Sequence, residues 1–205
     1  MTPPDKLAII ERKRALRSEM RARRLRLDAS TRAAASRAAA WQALAHLPWR
    51  ERPRVALFWP LAEELDTRPL LHALHWLGGE PLLPRMQGKG QPLVFHAWHP
   101  ELPLALGPFG VMEPGPGLPA VLPEIVLAPL LAFDRSGHRL GYGAGFYDLT
   151  FTAIAAVGGA PWRVGFCFAC QEVASVPVDA FDIPLDAVIT EAGVLRLRAA
   201  PGGPS

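Results

Sequence analysis

Cysteine is scarce: Cys167 and Cys170 are the only two in 205 residues. Their C-x-x-C spacing invites a redox or zinc reading. The surrounding Val164-Gly165-Phe166-Cys167-Phe168-Ala169 instead reads as a buried strand, on which residues three apart point to opposite faces. Such a pair neither bridges easily nor shares a metal, so two plain core thiols are expected. Long apolar runs are missing as well. None approaches the roughly 18 residues that a membrane helix needs, and the charged N-terminus has no apolar signal core. A cytoplasmic protein without membrane contact is the expectation. No Gly-x-Ser-x-Gly elbow is present, so a hydrolase triad has no support. His72 and His75, or His96 and His99, lack the further convergent ligands that a zinc site needs. No internal repeat is visible.

What is present is an ordinary globular composition, 50% hydrophobic and 20% charged. That is enough material for a sizeable core. The net charge of +3 conceals an asymmetry. Residues 1–37 hold 11 of the 22 Lys and Arg but only 4 of the 19 Asp and Glu, a local net of +7 against −4 for the remainder. A basic N-terminal segment suggests contact with a polyanion, either RNA or the phosphates of a nucleotide.

The chain is organised around Arg139-Leu140-Gly141-Tyr142-Gly143-Ala144-Gly145-Phe146-Tyr147-Asp148. An apolar run from Ile125 to Phe133 reads as a buried strand before it, and a helix to about Val157 follows. Alternate glycines remove the Cβ atoms that would hold a ligand away from the backbone. Backbone N–H groups and a helix N-terminus then favour an anion. Arg139 adds a cation, and Asp148 a carboxylate suited to Mg²⁺. The turn has neither the Gly-Lys-Ser/Thr of a Walker loop nor the G-x-G-x-x-G of a dinucleotide fold. A tight surface turn with aromatic packing is the competing reading.

From Lys6 to about Leu47 the Ala, Leu and Arg composition, without proline or glycine, predicts two helices broken at Asp28 to Thr31. Lys13 and Arg17 share one helical face. Pro48 to Pro53 reads as a linker, and Arg54 to Trp59 as the first strand. Asp66 or Thr67 caps a helix that ends at Gly78. Glu64 falls after the carboxyl end of the first strand, the edge where open α/β sheets bind ligands. Strands are expected at Pro81 to Arg85, Pro92 to Trp98, Arg163 to Phe168 and Ala187 to Thr190, with a hairpin return at Val194 to Leu197. The Pro- and Gly-rich loop to Pro123 carries Phe109 and Met112 and is expected to line a pocket. Strand alternating with helix predicts a mostly parallel α/β sheet.

Four blocks now carry a resemblance to the 5-formyltetrahydrofolate cyclo-ligase family, also called methenyltetrahydrofolate synthetases. They are Lys13-Arg14-Ala15-Leu16-Arg17, then Glu64-Leu65-Asp66-Thr67, then Phe109-Gly110-Val111-Met112-Glu113-Pro114, and lastly Leu131-Ala132-Phe133-Asp134 running into Arg139 to Asp148. A weaker fifth block runs from Val176-Pro177-Val178 to Asp182 and Asp186.

The resemblance implies one three-layer α/β/α domain over residues 1–205, with N-terminal helices packed on the sheet and frayed ends at 1–5 and 199–205. It also implies a monomer acting on ATP and 5-formyltetrahydrofolate. In that picture Lys13 to Arg17 and Arg139 to Tyr147 (Arg139, Leu140, Gly141, Tyr142, Gly143, Ala144, Gly145, Phe146 and Tyr147) bind ATP. Asp148 and Asp182 hold Mg²⁺. Trp59 and Glu64 contact the folate, and Tyr142 and Phe146 wall its pocket. Departures from the family pattern are Phe146, where many relatives have Tyr, Ala144, where Gly or Lys is frequent, and Leu149, where a basic residue is frequent. Two rival expectations are an RNA-binding or regulatory module on the same fold, and an ATP-using enzyme with another substrate.

Overall fold

The computed structural model describes residues 3–48 and 52–198. Helix α1 (Pro3–Leu25) starts earlier than the frayed end expected at 1–5. Helix α2 (Ala29–His46) follows the predicted break. The Asp28 carboxylate caps it, accepting from the Thr31 N–H at 2.7 Å. The linker at Pro48 to Pro53 lies largely outside the described residues, and the tail 199–205 wholly so.

Strand β1 (Arg54–Ala56) is followed by α3 (Arg68–Trp76) and β2 (Glu80–Arg85). Next come β3 (Val94–Ala97), β4 (Leu104–Leu106) and β5 (Met112–Pro114). The second half contains β6 (Ile125–Ala128), β7 (Ala132–Phe133), β8 (Arg139–Leu140) and α4 (Phe146–Ala156). It closes with β9 (Trp162–Phe166), β10 (Ala187–Thr190) and β11 (Gly193–Arg196). Seven strands form one sheet in the order β11-β10-β9-β6-β1-β2-β3. The five central strands are parallel, and the two edge strands pair antiparallel.

The sheet is covered on both faces. On one, Ala39 and Ala43 of α2 and Leu70, Leu71 and Leu74 of α3 pack with Val55, Leu83 and Ile189. On the other, Phe151 and Ile154 of α4 pack with Ala56, Leu82 and Val126. Alternate residues of each strand thus serve opposite layers, as the strand period requires. This is the expected three-layer α/β architecture. Helix α2 lies on the sheet, whereas α1 lies across a separate ribbon, with Met20 packed among Leu131, Ala132 and Leu140.

That ribbon corrects the reading of Ile125 to Phe133 as one strand. Strand β6 stops at Ala128. Pro129 has no N–H to continue a ladder. The chain then forms the antiparallel pair β7 and β8, joined by a turn whose Asp134 carboxylate accepts from the N–H groups of Ser136 (2.9 Å) and His138 (3.1 Å). Strand β1 pairs with β2 on one side and β6 on the other, so the chain order reverses between β1 and β6. Beyond the carboxyl ends of those two strands lie Trp59, Glu64 and the β7–β8 ribbon. That is the crevice where open α/β sheets bind ligands.

The cysteine expectation holds in outcome but not in geometry. Both thiols are free. Cys167 follows β9, however, and Cys170 sits in a short 3₁₀ turn (Ala169–Gln171) rather than on the strand. Burial raises both thiol pKa values, which favours the protonated form, although Cys170 is only half-buried.

Candidate active site

The glycine turn follows β8 directly. Gly143 has φ +107°, and a Cβ there would lie 3.3 Å from Arg17 Cζ. Gly145, at φ +70°, is the N-cap of α4. Only glycine takes these conformations without strain. The turn therefore lies against α1 and presents the first N–H groups of α4 at the crevice. The Arg17 Nε donates to the Gly141 carbonyl at 2.9 Å. Burial, with Arg21 nearby as a like charge, lowers the Arg17 pKa.

One end of the turn is a field of paired charges. Lys13 Nζ donates to Asp179 Oδ2 at 2.8 Å and to Asp182 Oδ2 at 2.5 Å. Burial is the largest single influence on Lys13 and would lower its pKa, but the hydrogen bonds and negative charges of Asp179 and Asp182 together raise it. Arg139 donates to Asp148 Oδ1 at 2.7 Å and to the Ile183 carbonyl at 2.5 Å, and lies over the Phe151 ring. Asp148 Oδ1 also accepts from the Ile183 N–H at 3.0 Å. Asp148 is thus tied, through Ile183, to the segment that carries Asp182, the other carboxylate expected at the metal. Among the described residues no cluster of three His, Cys, Asp or Glu could hold a metal. Two carboxylates suffice for Mg²⁺, which binds through one or two plus substrate phosphates and waters.

The other end is buried and hydrogen-bonded. Glu64 is nearly enclosed. One of its oxygens accepts a short hydrogen bond from the Tyr142 hydroxyl, and the other accepts the Leu61 N–H at 2.8 Å. Arg24 Nη1 donates to the same Tyr142 oxygen at 2.7 Å. Burial raises the Glu64 pKa, partly offset by Tyr142, the Leu61 N–H and the Arg24 charge. Burial also pushes the Tyr142 and Tyr147 phenols up, so both stay protonated. Beside Glu64 opens a cleft of about 350 Å³ lined by Arg32, Ser36, Leu61, Asp66 and Arg68.

The expected residues fall into three groups. The structure joins Lys13 to Asp182, Arg17 to the turn, Arg139 to Asp148, and Glu64 to Tyr142. Arg14 and Ala15, on the same helix, are exposed, and Leu16 packs on the ribbon. Trp59 stands next to the cleft, with the Arg68 guanidinium 6.0 Å from its ring centre. Phe109 is not the buried anchor that a pocket-lining loop implies: it is 74% exposed, although its ring meets that of Phe146 edge-on at 6.3 Å, at a backbone φ of +60°. Asp186 of the fifth block binds Arg163 through both oxygens and belongs to the sheet, not the site. Sequence reasoning missed Arg21, Arg24 and Asp179. The 4-4-3 spacing of Lys13, Arg17, Arg21 and Arg24 was the available signal, since it keeps all four on one helical face.

A mostly parallel open sheet with cations, carboxylates and a glycine turn at its switch point defines an α/β protein of the open, ligand-binding type. The comparisons narrow that class. Residues 9–191 match the model of the 5-formyltetrahydrofolate cyclo-ligase family. The 5-formyltetrahydrofolate cyclo-ligase of Haemophilus influenzae is 31% identical over 180 residues, covering 85% of this chain and 95% of that one. That of Escherichia coli K12 is 37% identical over 145 residues, 68% of this chain and 79% of its own. The solved 5,10-methenyltetrahydrofolate synthetase of Aquifex aeolicus matches with a TM-score of 0.77 at 28% identity, over 94% of this chain and 96% of that one. The chain belongs to the 5-formyltetrahydrofolate cyclo-ligase family.

Proposed function

We propose that this protein cyclises 5-formyltetrahydrofolate to 5,10-methenyltetrahydrofolate at the expense of ATP. The observation that carries the reading is the glycine turn itself, which meets paired cations and carboxylates at one end and the buried Glu64 at the other. An N-formyl amide is a poor electrophile. Transfer of the γ-phosphoryl group to the formyl oxygen releases ADP and leaves an iminium phosphate. The N10 amine attacks the formyl carbon and loses its proton. The carbon–oxygen bond then breaks, phosphate departs, and the methenyl bridge remains.

Phosphoryl transfer needs positioning and charge neutralisation more than covalent help. Lys13, Arg17 and Arg139 supply the cations, and the turn from Gly141 to Gly145 supplies backbone donors. Asp148 and Asp182 would hold Mg²⁺, which neutralises phosphate charge when bound. Glu64 would orient the folate, and the cleft lined by Arg32, Ser36, Asp66 and Arg68 opens beside it. Arg32 and Arg68 there suit the carboxylates of the folate. The basic N-terminal segment gives little support to an RNA-binding module, because Lys13, Arg17 and Arg24 all turn inward onto the site. The test is the near-ultraviolet absorbance of methenyltetrahydrofolate after mixing protein, 5-formyltetrahydrofolate and MgATP. A rise that requires ATP is expected. A folded sample that binds ATP without any rise would move the activity to another substrate.

A further inference from the structure

Arg24 is the most enclosed cation among the described residues, at 3% exposure against 7% for Arg139 and 8% for Lys13. Taking a guanidinium out of water is costly unless its donors are well satisfied. Those of Arg24 are not. Nη1 donates to the Tyr142 oxygen at 2.7 Å, Nη2 reaches Glu63 only at 3.3 Å, and Nε has no hydrogen-bond partner. A residue serving stability alone would be better paired. What Arg24 does achieve is local and directional.

A phenol carries one hydrogen, and arginine has no acceptor. With an Arg24 N–H occupying the Tyr142 oxygen from one side, the hydroxyl hydrogen must point elsewhere, and Glu64 is where it goes. The second Glu64 oxygen is held by the Leu61 N–H. We propose that Arg24 is a positioning residue for the cyclisation, locking the Tyr142 hydroxyl onto Glu64 so that this carboxylate is held in one orientation against the folate.

This rests on the folate reading of Glu64. The groups around Glu64 are Arg24 from α1, Glu63 beside it, Tyr142 and Tyr147 from the turn and α4, Arg32, Asp66 and Arg68 along the cleft, and the Cys167 thiol on its inner side. Arg24 is the cation that acts on it through a hydrogen-bonded relay. Its removal frees the Tyr142 rotor and withdraws a charge that favours the ionised carboxylate. Phosphate-side groups are untouched, because Lys13, Arg17 and Arg139 bond to other partners.

The experiment compares Arg24→Met, Arg24→Lys, Tyr142→Phe and the Arg24→Met/Tyr142→Phe double variant. Loss of a hydrogen bond to a charged group predicts that Arg24→Met lowers kcat/KM for 5-formyltetrahydrofolate about tenfold or more. KM for ATP should stay within about twofold, since uniform binding of ATP is not altered. The acid limb of the pH profile should move to higher pH. Arg24→Lys keeps the charge, so it should return the limb to its wild-type place and recover part of the rate. In the Tyr142→Phe background Arg24→Met should add little, because the relay is already cut.

Fully additive losses, an unmoved acid limb, or a loss confined to ATP would each overturn the assignment. If Arg24→Met fails to fold, Tyr142→Phe carries the test, and unchanged folate kinetics there overturn it. Folate affinity without ATP, read by quenching of tryptophan fluorescence, separates this inference from the proposed reaction. Wild type that binds the folate but never turns it over sinks the reaction. The pH dependence of that affinity in Arg24→Met then still decides the role of Arg24.

Discussion

The two ends of the glycine turn solve opposite electrostatic problems. At the end proposed for phosphate, Lys13 faces Asp179 and Asp182, and Arg139 faces Asp148, so charge is cancelled by charge. At the end proposed for the folate, Glu64 is buried beside a phenol, and the Arg24 guanidinium donates to that same phenol. The first arrangement is exchangeable. On the proposed reading, a Mg²⁺ ion at Asp182 and a phosphate at Lys13 would each replace a partner with one of the same sign. The second arrangement is held by directed hydrogen bonds, from the Tyr142 hydroxyl and the Leu61 N–H to Glu64 and from Arg24 to Tyr142. The difference teaches that one turn can join a region balanced by ion pairs to a region ordered by directed hydrogen bonds.

The largest expected effect breaks the phosphate end alone. Asp148→Asn keeps an acceptor for the Ile183 N–H and removes the charge. We expect kcat to fall about 10²- to 10³-fold, the scale on which preorganised charge stabilisation acts, with an unchanged circular dichroism spectrum. Asparagine is the better choice than alanine, which would strand Arg139 in a nearly closed site. Retained turnover with normal Mg²⁺ dependence would sink the metal assignment.

Glu64→Gln breaks the other end. Loss of a directed charge–dipole contact should lower kcat/KM for the folate on the order of tenfold to 10²-fold, with KM for ATP nearly unchanged. The same variant carries a stability signature. Burial raises the Glu64 pKa, so the folded state holds its proton more tightly than the unfolded chain does. Stability is therefore lost as pH climbs from the ordinary value of 4.5 through the raised one. Melting curves of Glu64→Gln should gain on wild type over that window and run parallel to it at more acid pH. A constant difference at all pH values would mean that Glu64 is not held in the buried state described.

Gly143→Ala sharpens the comparison by touching the one point where both ends share backbone. At φ +107° an alanine is strained, and its Cβ would press the Arg17 guanidinium at 3.3 Å. Strain of about 1–3 kcal/mol predicts a KM for ATP raised about tenfold, with a smaller change for the folate. Equal losses for both substrates would show that the turn moves as one body.

How far the sequence revealed this site follows from what each part depends on. Helix α3, strand β10 and the N-cap Asp28 were legible because local pattern and capping chemistry decide them. The phosphate end was half legible: charged residues flank the glycines, so Arg139 and Asp148 stand out within one segment. Asp179 did not, since its role depends on Lys13, 166 residues away. Strand β6 was read too long because an apolar run hides a break unless Pro129 is weighed as a missing donor. Strands β4 and β5 were missed inside a Pro- and Gly-rich loop, where a three-residue ribbon leaves too little periodicity to detect. The Arg24–Tyr142–Glu64 relay was beyond composition altogether. Three elements meet there, and nothing local marks an arginine as buried.

The smallest expected effect concerns Phe146, where the family pattern often has a tyrosine. The ring sits at the first position of α4 and meets Phe109 edge-on, so it belongs to the wall between the turn and the loop carrying Met112. It is neither a charge partner nor part of the relay. Phe146→Tyr adds one hydroxyl to a half-exposed ring. A single neutral hydrogen bond contributes about 1 kcal/mol at most times, and a hydroxyl left in water contributes less. We therefore expect kcat/KM for either substrate to rise by no more than about fivefold, and melting to stay in place. A gain on the folate alone would extend the folate wall to Phe146, and a gain on ATP alone would give the ring to the nucleotide. A loss above tenfold for both would mean that the Phe109–Phe146 contact itself closes the site, making the apolar wall a third region alongside the two charged ends.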